Sequence, residues 1–217
     1  MSATREAIYE ALFEKFLVAQ ISASTVDPVT YTVTVVPTGF YIQDQGVVYH
    51  GGAALVKVYS APAVGQYMQS GATYTFNALD ASAAVDISFL SSPLLRTASR
   101  RLKTWDQVGQ EDQPALFFAE TGEDWQQLKG LPVKRTMSVE VYLYVFTGAD
   151  SSLAPSQVLN PILDALEAAI GPDACGYQTL GGLVSHAWID GKVSIAEGAQ
   201  GQGMQAIAML PVSILVP

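Results

Sequence analysis

The chain has 217 residues, which is enough for one or two domains with a core that needs no disulfide bonds. Only 14% of the residues are charged, against about 25% in typical soluble domains, while 49% are hydrophobic. The formal net charge of −9 argues against a molecule that binds a nucleic-acid backbone over its whole surface. So little charge favours a surface partly covered by other subunits, with an ordinary monomer as the alternative.

The N-terminal segment has helical periodicity. Ile8, Leu12 and Phe16 recur at four-residue spacing, and charged residues lie on the opposite side. Thr4 is the expected N-cap. These charges interrupt the apolar run that a secretory signal needs, and no later stretch is apolar and long enough to cross a bilayer, so we expect a soluble product.

From about Ile21 the periodicity changes to two. The stretch "TYTVTVV" at 30–36 places Tyr31, Val33 and Val35 on one face of a strand. Further strand-like pieces follow, separated by turns that contain glycine or proline: "FYIQ", "GVVYH", "ALVKVYS", "ATYTFNA" and "VDISFL". We predict an antiparallel β module with no helix between residues 21 and 92.

After Pro93 strands and one helix alternate. "LLRTASRRLKTW" alternates loosely as a strand, and "PALFFAETGE" and "KRTMSVEVYLYVFTG" read as two strands that can form a hairpin. "LNPILDALEAAIGPD" is predicted to be a helix with Pro161 in its first turn and a stop at Gly171 and Pro172. "LVSHAWIDGKVSI" and "MQAIAMLPVSILV" complete the sheet, the latter buried on both faces, with Pro211 marking an edge or a bulge.

The distribution of basic residues predicts the domain organisation. Lys57 is the only lysine or arginine between Val18 and Ser92, whereas four basic residues follow within eight positions from Arg96. We therefore predict an α+β fold, a mixed or antiparallel sheet flanked by two helices, formed by residues 1–17 and 94–217. Residues 18–93 are predicted to be an inserted all-β subdomain.

No catalytic or metal-binding constellation is recognisable. Of the two histidines, His50 lies in the β module and His186 in a strand, where the neighbouring Ser185 points to the opposite face. Cys175, the single cysteine, excludes an intrachain disulfide and gives no zinc-site spacing with these histidines. The glycine-rich "GAQGQGMQ" at 198–205 has neither dinucleotide-binding nor Walker-loop order and is interpreted as a connection between strands. We expect no enzyme activity, cofactor or metal.

The sequence outside residues 18–93 resembles the tail terminator, or tail completion, proteins of long-tailed bacteriophages. The resemblance lies in "REAIYEALFEKF", "RTASRRLKTWDQVGQEDQPALFFAETGE", "GLPVKRTMSVEVYLYVFT", "VLNPILDALEAAIGPD", "QTLGGLVSHAWIDGKV" and "AIAMLPVSILV", in the order of the family. Family members pass from the first helix almost directly to the "RTASRRLK" strand, so residues 18–93 depart from the pattern. That segment is similar to small β modules appended to phage virion proteins, notably in "GVVYHGGAALVKV" and "GQYMQSGATYTFNALDASAAVDISF".

The resemblance implies a structural virion protein that forms a ring of six copies. Such a ring caps the head-proximal end of the tail tube, stops tail polymerisation and joins the tail to the head connector. Implied partners are other copies of the chain, the tail tube protein and the connector or stopper protein, with genomic DNA passing through unrecognised and no membrane. Assembly takes place in the bacterial cytoplasm. The alternatives are another head–tail joining or tail tube subunit, or a carbohydrate-binding module.

The basic residues after Pro93 are the candidate site. Three roles remain open for them: salt bridges to an acidic flank of a neighbouring subunit, a solvated surface, or contact with DNA in the lumen. In a fully extended strand Arg101 and Lys103 share one face, and Arg96 and Arg100 lie on another. The basic side chains therefore do not all point to the same face. The candidates for the subunit interface or lumen are Arg96, Arg100, Arg101, Lys103, Lys134 and Arg135.

Overall fold

The structure of the protein is a computed structural model that describes residues 3–127, 129–130, 133–148, 154–172, 176–197 and 204–216. Over these residues it is an α+β protein with two α-helices and mostly antiparallel sheets, which confirms the predicted class at this level. The chain divides into two compact units: unit 1 contains Met1–Phe16 and Leu94–Pro217, and unit 2 contains Leu17–Pro93. That unit 2 is an insertion into a tail-terminator fold stays a prediction.

The elements are numbered in chain order. The helices, both in unit 1, are α1 (Arg5–Lys15) and α2 (Pro155–Ile170). The strands of unit 2 are β1 (Val18–Thr25), β2 (Thr32–Thr34), β3 (Phe40–Tyr49), β4 (Val56–Lys57), β5 (Gln66–Ser70), β6 (Thr73–Phe76) and β7 (Ala84–Ser92). Those of unit 1 are β8 (Thr97–Ser99), β9 (Ala115–Gln126), β10 (Lys134–Phe146), β11 (His186–Ile189), β12 (Ser194–Glu197) and β13 (Gln205–Val216).

Unit 1 is built on a six-stranded sheet in the order β11-β13-β10-β9-β8, with β12 also paired to β13. All pairs are antiparallel except β8 with β9, and the predicted pairing of β9 with β10 is confirmed. Alternate side chains of β10, from Met137 to Val145, are fully buried on one face. α1 covers this face, because Phe13 and Phe16 both pack edge-to-face on Phe118 of β9.

The opposite face of the sheet is covered at one end by an irregular segment, residues 101–113. Val108 from this segment joins Phe117 and Tyr144 in a buried cluster. The Tyr144 hydroxyl donates a hydrogen bond to the carbonyl oxygen of Lys103 at 2.9 Å, which fixes the segment to this face. Most of the remaining side chains here are only partly buried.

The two helices were predicted, but α2 begins earlier than expected. Thr4 caps α1 as predicted, since its Oγ1 accepts the N–H of Ala7 at 3.3 Å. α2 starts at Pro155, a residue suited to the first helical turn, so the prediction that Pro161 lies in the first turn is wrong. Pro161 is exposed in the helix interior, and the predicted stop at Gly171 is confirmed.

Two strand predictions for unit 1 are corrected. "LLRTASRRLKTW" is a strand only over Thr97–Ser99. Pro211 does not mark an edge, because β13 is paired with β10 on one side and with β11 and β12 on the other. Its carbonyl accepts the N–H of Asp190 between these two short strands. The Pro211 nitrogen, which carries no hydrogen, therefore faces the gap between β11 and β12, where no strand carbonyl requires a donor.

Unit 2 contains two sheets around one core. One sheet has the order β1-β7-β3 and the other β2-β6-β5-β4. The core side chains are all apolar or aromatic: Val26, Val33, Val35, Val47, Leu55, Tyr67, Tyr74, Phe76, Val85, Ile87 and Phe89. Between residues 21 and 92, all of them described, the only helical element is a short 3-10 turn at Ala78–Asp80, as predicted for a β module.

The strand limits within unit 2 differ from the prediction. "FYIQ" and "GVVYH" form the single strand β3, interrupted by two bulges rather than by a turn. The strand predicted over 30–36 is limited to Thr32–Thr34, because Tyr31 has a φ of 56° and breaks the extended run. The predicted inward face is correct for Val33 and Val35, which are buried.

The chain enters and leaves unit 2 at neighbouring positions. β1 and β7 are antiparallel partners, and Val18 at the start of β1 pairs with Ser91 near the end of β7. Removing unit 2 therefore leaves two chain ends that a short linker can join.

We predict that replacing residues 18–93 with a short glycine–serine linker leaves a folded unit 1. All three tryptophans lie in unit 1, so tryptophan fluorescence and near-ultraviolet circular dichroism report its packing. A cooperative thermal transition is expected. An unfolded product would contradict this boundary.

Candidate functional site

The six predicted basic residues lie in different environments. Arg100 is bound within its own unit: its Nη2 lies 3.1 Å from Glu6 Oε2 on α1 and 3.5 Å from Glu120 Oε1 on β9. Its guanidinium also lies over the Tyr9 ring, 5.8 Å from the centroid. The hydrogen bond and charge of Arg100 hold the pKa of Glu6 below its usual range. This arginine links α1 to the sheet.

Arg135 is also engaged within the fold. It is 9% exposed and lies under the ring of Trp125, with 5.5 Å between the guanidinium carbon and the ring centroid. Nearby, Arg5 Nε on α1 lies 2.5 Å from Glu123 Oε1 on β9, and this hydrogen bond lowers the pKa of Glu123. Arg100 therefore links α1 to β9, whereas Arg135 packs within the β9–β10 hairpin.

The remaining candidates are on the surface. Arg96, Arg101, Lys103 and Lys134 are exposed, and Arg96 donates from Nη1 to the Glu111 carbonyl at 3.3 Å. Within the described ranges, Arg101, Lys103 and Lys134 form no salt bridge. The prediction that Arg101 and Lys103 share one face of an extended strand does not apply, because β8 ends at Ser99.

Lys134 and the backbone of Lys103 lie on the same face of the sheet, opposite to α1. Lys134 alternates with the buried Arg135 on β10 and so shares a face with Tyr144. The Lys103 backbone is attached to that same face through the Tyr144 hydroxyl. The Lys134 side chain and the Lys103 backbone, which are far apart in sequence, are thus brought to one face of the sheet.

This surface continues across the partly buried side chains of the central strands; we call it the open face. Its acidic residues are Glu140, which accepts from the Tyr142 hydroxyl at 2.7 Å, Asp124, which pairs with Thr136, and Asp190, which accepts from the Ser213 hydroxyl at 2.8 Å. The other side chains are mainly apolar, aromatic or hydroxyl-bearing: Thr136, Ser138, Met209, Pro211, Ser213, Leu215, His186 and Trp188. A sheet face of this composition is suited to contact with another protein surface.

His186 has a structural role at one side of the open face. Its Nδ1 accepts the backbone N–H of Gln178 at 3.1 Å, and its ring stacks on Trp188 with centroids 5.2 Å apart. A cavity of about 200 Å³ lies beside it, between the end of α2 and β11, with Ile170 and Ile189 in its lining. The sequence does not reveal this cavity, because its walls come from the end of α2 and from β11, which meet only in the fold.

Unit 2 contains a buried polar network that sequence reasoning also missed. The carboxylate of Asp44 is only 4% exposed and accepts from the Tyr67 hydroxyl (2.8 Å), the Tyr74 hydroxyl (3.2 Å) and the Gly46 N–H (3.0 Å). Lys57 Nζ lies 2.9 Å from its Oδ2. The only lysine of the unit therefore neutralises a buried acid.

The bulges of β3 explain how an acid reaches the core of this unit. Register shifts lie on both sides of Asp44, between Tyr41 and Gln43 and between Asp44 and Gly46. Such shifts redirect a side chain relative to regular alternation. Burial raises the pKa of Tyr41 to about 12 and raises the pKa of Tyr67 and Tyr74 further, so these hydroxyls stay protonated as donors. The network holds the two sheets together.

The described parts of the chain contain no group of three or more His, Cys, Asp or Glu arranged to hold a metal ion. Cys175 and residues 198–203 of the glycine-rich connection lie outside the described residues. Neither α1 nor α2, the α-helices of the described ranges, is long and apolar enough to span a membrane. Comparison with family models and with curated proteins finds no match to this chain.

Arg100, which is bound to α1 and β9, and its exposed neighbour Arg101 provide a matched pair for a stability test. Arg100→Ala should lower the midpoint of thermal unfolding by about 3 °C or more, because it disconnects α1 from β9. Arg101→Ala should change it by less than about 1 °C. Equal shifts in circular dichroism melting curves would show that Arg100 has no special role in the fold.

Asp44→Asn should destabilise unit 2 by about 2 to 3 kcal/mol, because it leaves Lys57 without a counter-charge and weakens the tyrosine hydrogen bonds. Asp86→Asn is the matched control: its partner His50 is 71% exposed, so a loss below about 0.5 kcal/mol is expected. Urea unfolding followed by circular dichroism measures both. Similar losses for the two variants would contradict the assigned role of Asp44.

Proposed function

We propose that this chain is a structural virion protein of a long-tailed bacteriophage, a tail terminator subunit without enzymatic activity. Six copies form a ring at the head-proximal end of the tail tube, stop tube growth and join the tail to the head connector. Unit 1 forms the ring, and unit 2 is an inserted module.

The open face is the observation that carries the proposal. One side of the unit 1 sheet is covered by α1, while the other keeps Trp188, Met209 and Leu215 partly exposed among polar groups. Apolar sheet faces of this kind are stable in water when another surface covers them. Contact with further copies of the same chain gives this cover in a ring.

The scarcity of charge supports an assembled state. In unit 2 the one lysine, Lys57, is paired with the buried Asp44, so it adds little to surface charge. Large apolar side chains are exposed there as well, with Tyr59 at 92% and Val36 at 89%. A decorating module that contacts other virion components accounts for both features.

The ring needs head-to-tail contacts between identical subunits, which close only when the rotation per subunit divides the full circle. DNA passes through such a ring without sequence recognition. The exposed residues Arg101, Lys103 and Lys134 are too few for phosphate contacts to dominate in a chain of net charge −9, so we assign them to protein contacts.

Loss of the protein tests the proposal directly. Phage in which translation of this chain is blocked should produce tail tubes of uncontrolled length without attached heads, measured by electron microscopy of lysates. Complementation with the wild-type chain should restore a single length.

Other outcomes separate the alternatives. Tails of normal length that lack heads would indicate a joining protein that does not terminate the tube, and absence of tubes would indicate a tube subunit. Particles that are normally assembled but adsorb poorly would favour carbohydrate binding by unit 2. Each of these results would contradict the terminator assignment.

A further inference from the structure

The strand β1 of unit 2 lies at the edge of its sheet without the usual protection of an edge. It has eight residues, pairs with β7 without a register shift and has no strand on its other side. Its sequence, "VAQISAST", contains no charged residue and no proline. Natural proteins usually protect an edge of this length, because a row of free N–H and C=O groups pairs readily with another strand.

The other sheet edges among the described residues are protected. β3, at the opposite end of the same sheet, has two bulges, and its second half is bonded to residues 53–55. The remaining edge strands have only two to four residues each: β2, β4, β8, β11 and β12. In the part of the chain that the structure describes, β1 is therefore the one long edge strand with an unbroken register.

Alternate residues of β1 direct their backbone groups away from the sheet. Val26 continues the register of β1 and donates its N–H to the Ala83 carbonyl, whereas the Ala84 carbonyl accepts from His50 on the β3 side. Since strand residues alternate in this respect, the even-numbered residues of β1 bond to β7. The odd-numbered ones are exposed, and their backbone groups form no hydrogen bond with any described residue: Ala19, Ile21, Ala23 and Thr25.

We propose that this free edge pairs with β1 of a second copy of the chain, antiparallel and about a two-fold axis. One register uses all four outward residues: Ala19 lies opposite Thr25 of the second copy, and Ile21 lies opposite Ala23. Each such pair exchanges two hydrogen bonds, so the contact contains about eight. A shift of the two-fold register in either direction leaves some of these groups unpaired.

The composition of β1 suits pairing with itself. Because the strand is uncharged, no like charges meet across the two-fold axis. Ile21, which is 75% exposed in the single chain, becomes the diagonal neighbour of Ile21 in the second copy, within reach of an apolar contact. The joined sheet has the order β3-β7-β1-β1-β7-β3 and ends on both sides in the protected β3, so growth stops at two copies.

This pairing goes beyond the proposed ring and does not depend on it. The contact is isologous, whereas neighbours in a ring with a six-fold axis meet through heterologous contacts. A ring with that axis alone has no two-fold axis, so the pairing belongs to the chain before it enters a ring. It covers an edge that otherwise pairs with unrelated strands.

Cross-linking of the full chain tests the register. Ser22→Cys and Ser24→Cys, each combined with Cys175→Ser, form a matched pair, because the two serine hydroxyls share one hydrogen bond at 2.9 Å. Ser22 lies opposite Ser22 of the second copy, with Cα atoms about 4.5 Å apart, which a disulfide can bridge. The two copies of Ser24 are about 13 Å apart along the strands, beyond that reach.

We expect Ser22→Cys to form disulfide-linked dimers about tenfold faster or more than Ser24→Cys, at equal protein concentration in mild oxidant. Non-reducing gel electrophoresis measures both rates, and circular dichroism melting verifies that both variants are folded. Equal rates would indicate random collision and would overturn the pairing.

A cysteine-free measurement is independent of the disulfide. Ile21→Lys places two like charges beside the two-fold axis and should weaken self-association by about fivefold or more in apparent Kd, measured by sedimentation velocity. Val64→Lys is the control, since Val64 is 57% exposed in the turn before β5 and the added charge is the same. It should associate like the wild type.

Contrary results separate this pairing from the proposed function. If Ile21→Lys associates as the wild type does, or if the wild-type chain forms no dimer, the pairing is overturned. Tail length in phage that lack the protein is decided independently of these measurements, so either proposal can fail while the other holds.

Discussion

A β-sheet has two faces, and α1 covers only one face of the unit 1 sheet. β10 and β13 are paired along nearly their whole length, from Arg135 with Val216 to Phe146 with Gln205, so their side chains alternate strictly between the two faces. One set forms the core with α1. The other set is left partly exposed and mostly uncharged, and the assembly proposed for this protein follows from that asymmetry.

Unit 2 meets a different constraint, since its charged residues are only one lysine and four aspartates. Its one lysine is used inside the unit to neutralise Asp44, and the two bulges of β3 place that acid in the interior. A buried ion pair with further hydrogen bonds stabilises little beyond an apolar core, but it fixes how the two sheets face each other. The close approach of Val18 and Ser91 lets such a module join another domain through neighbouring chain ends.

The sequence predicted those features that depend on local pattern. α1 was predictable from the spacing of Ile8, Leu12 and Phe16 and from the Thr4 cap, and β10 from the alternation between Val139 and Val145. The sequence did not predict features that depend on partners distant in the chain. Pro211 predicts an edge or a bulge, because the sequence does not show that its nitrogen faces the gap between β11 and β12. The sequence does not distinguish the environments of the neighbours Arg100 and Arg101. In the structure, β8 ends at Ser99, and Arg100 forms a salt bridge with Glu6 whereas Arg101 is exposed.

The most direct measurement of the central claim is hydroxyl-radical footprinting of the open face. Trp188 and Met209 are reactive side chains on this surface, and oxidation of each can be quantified by peptide mass spectrometry in the isolated chain and in purified tails. Covering of the open face by a neighbouring copy predicts oxidation that is severalfold slower in tails. Equal oxidation rates in both states would show that the open face stays exposed and would contradict the account.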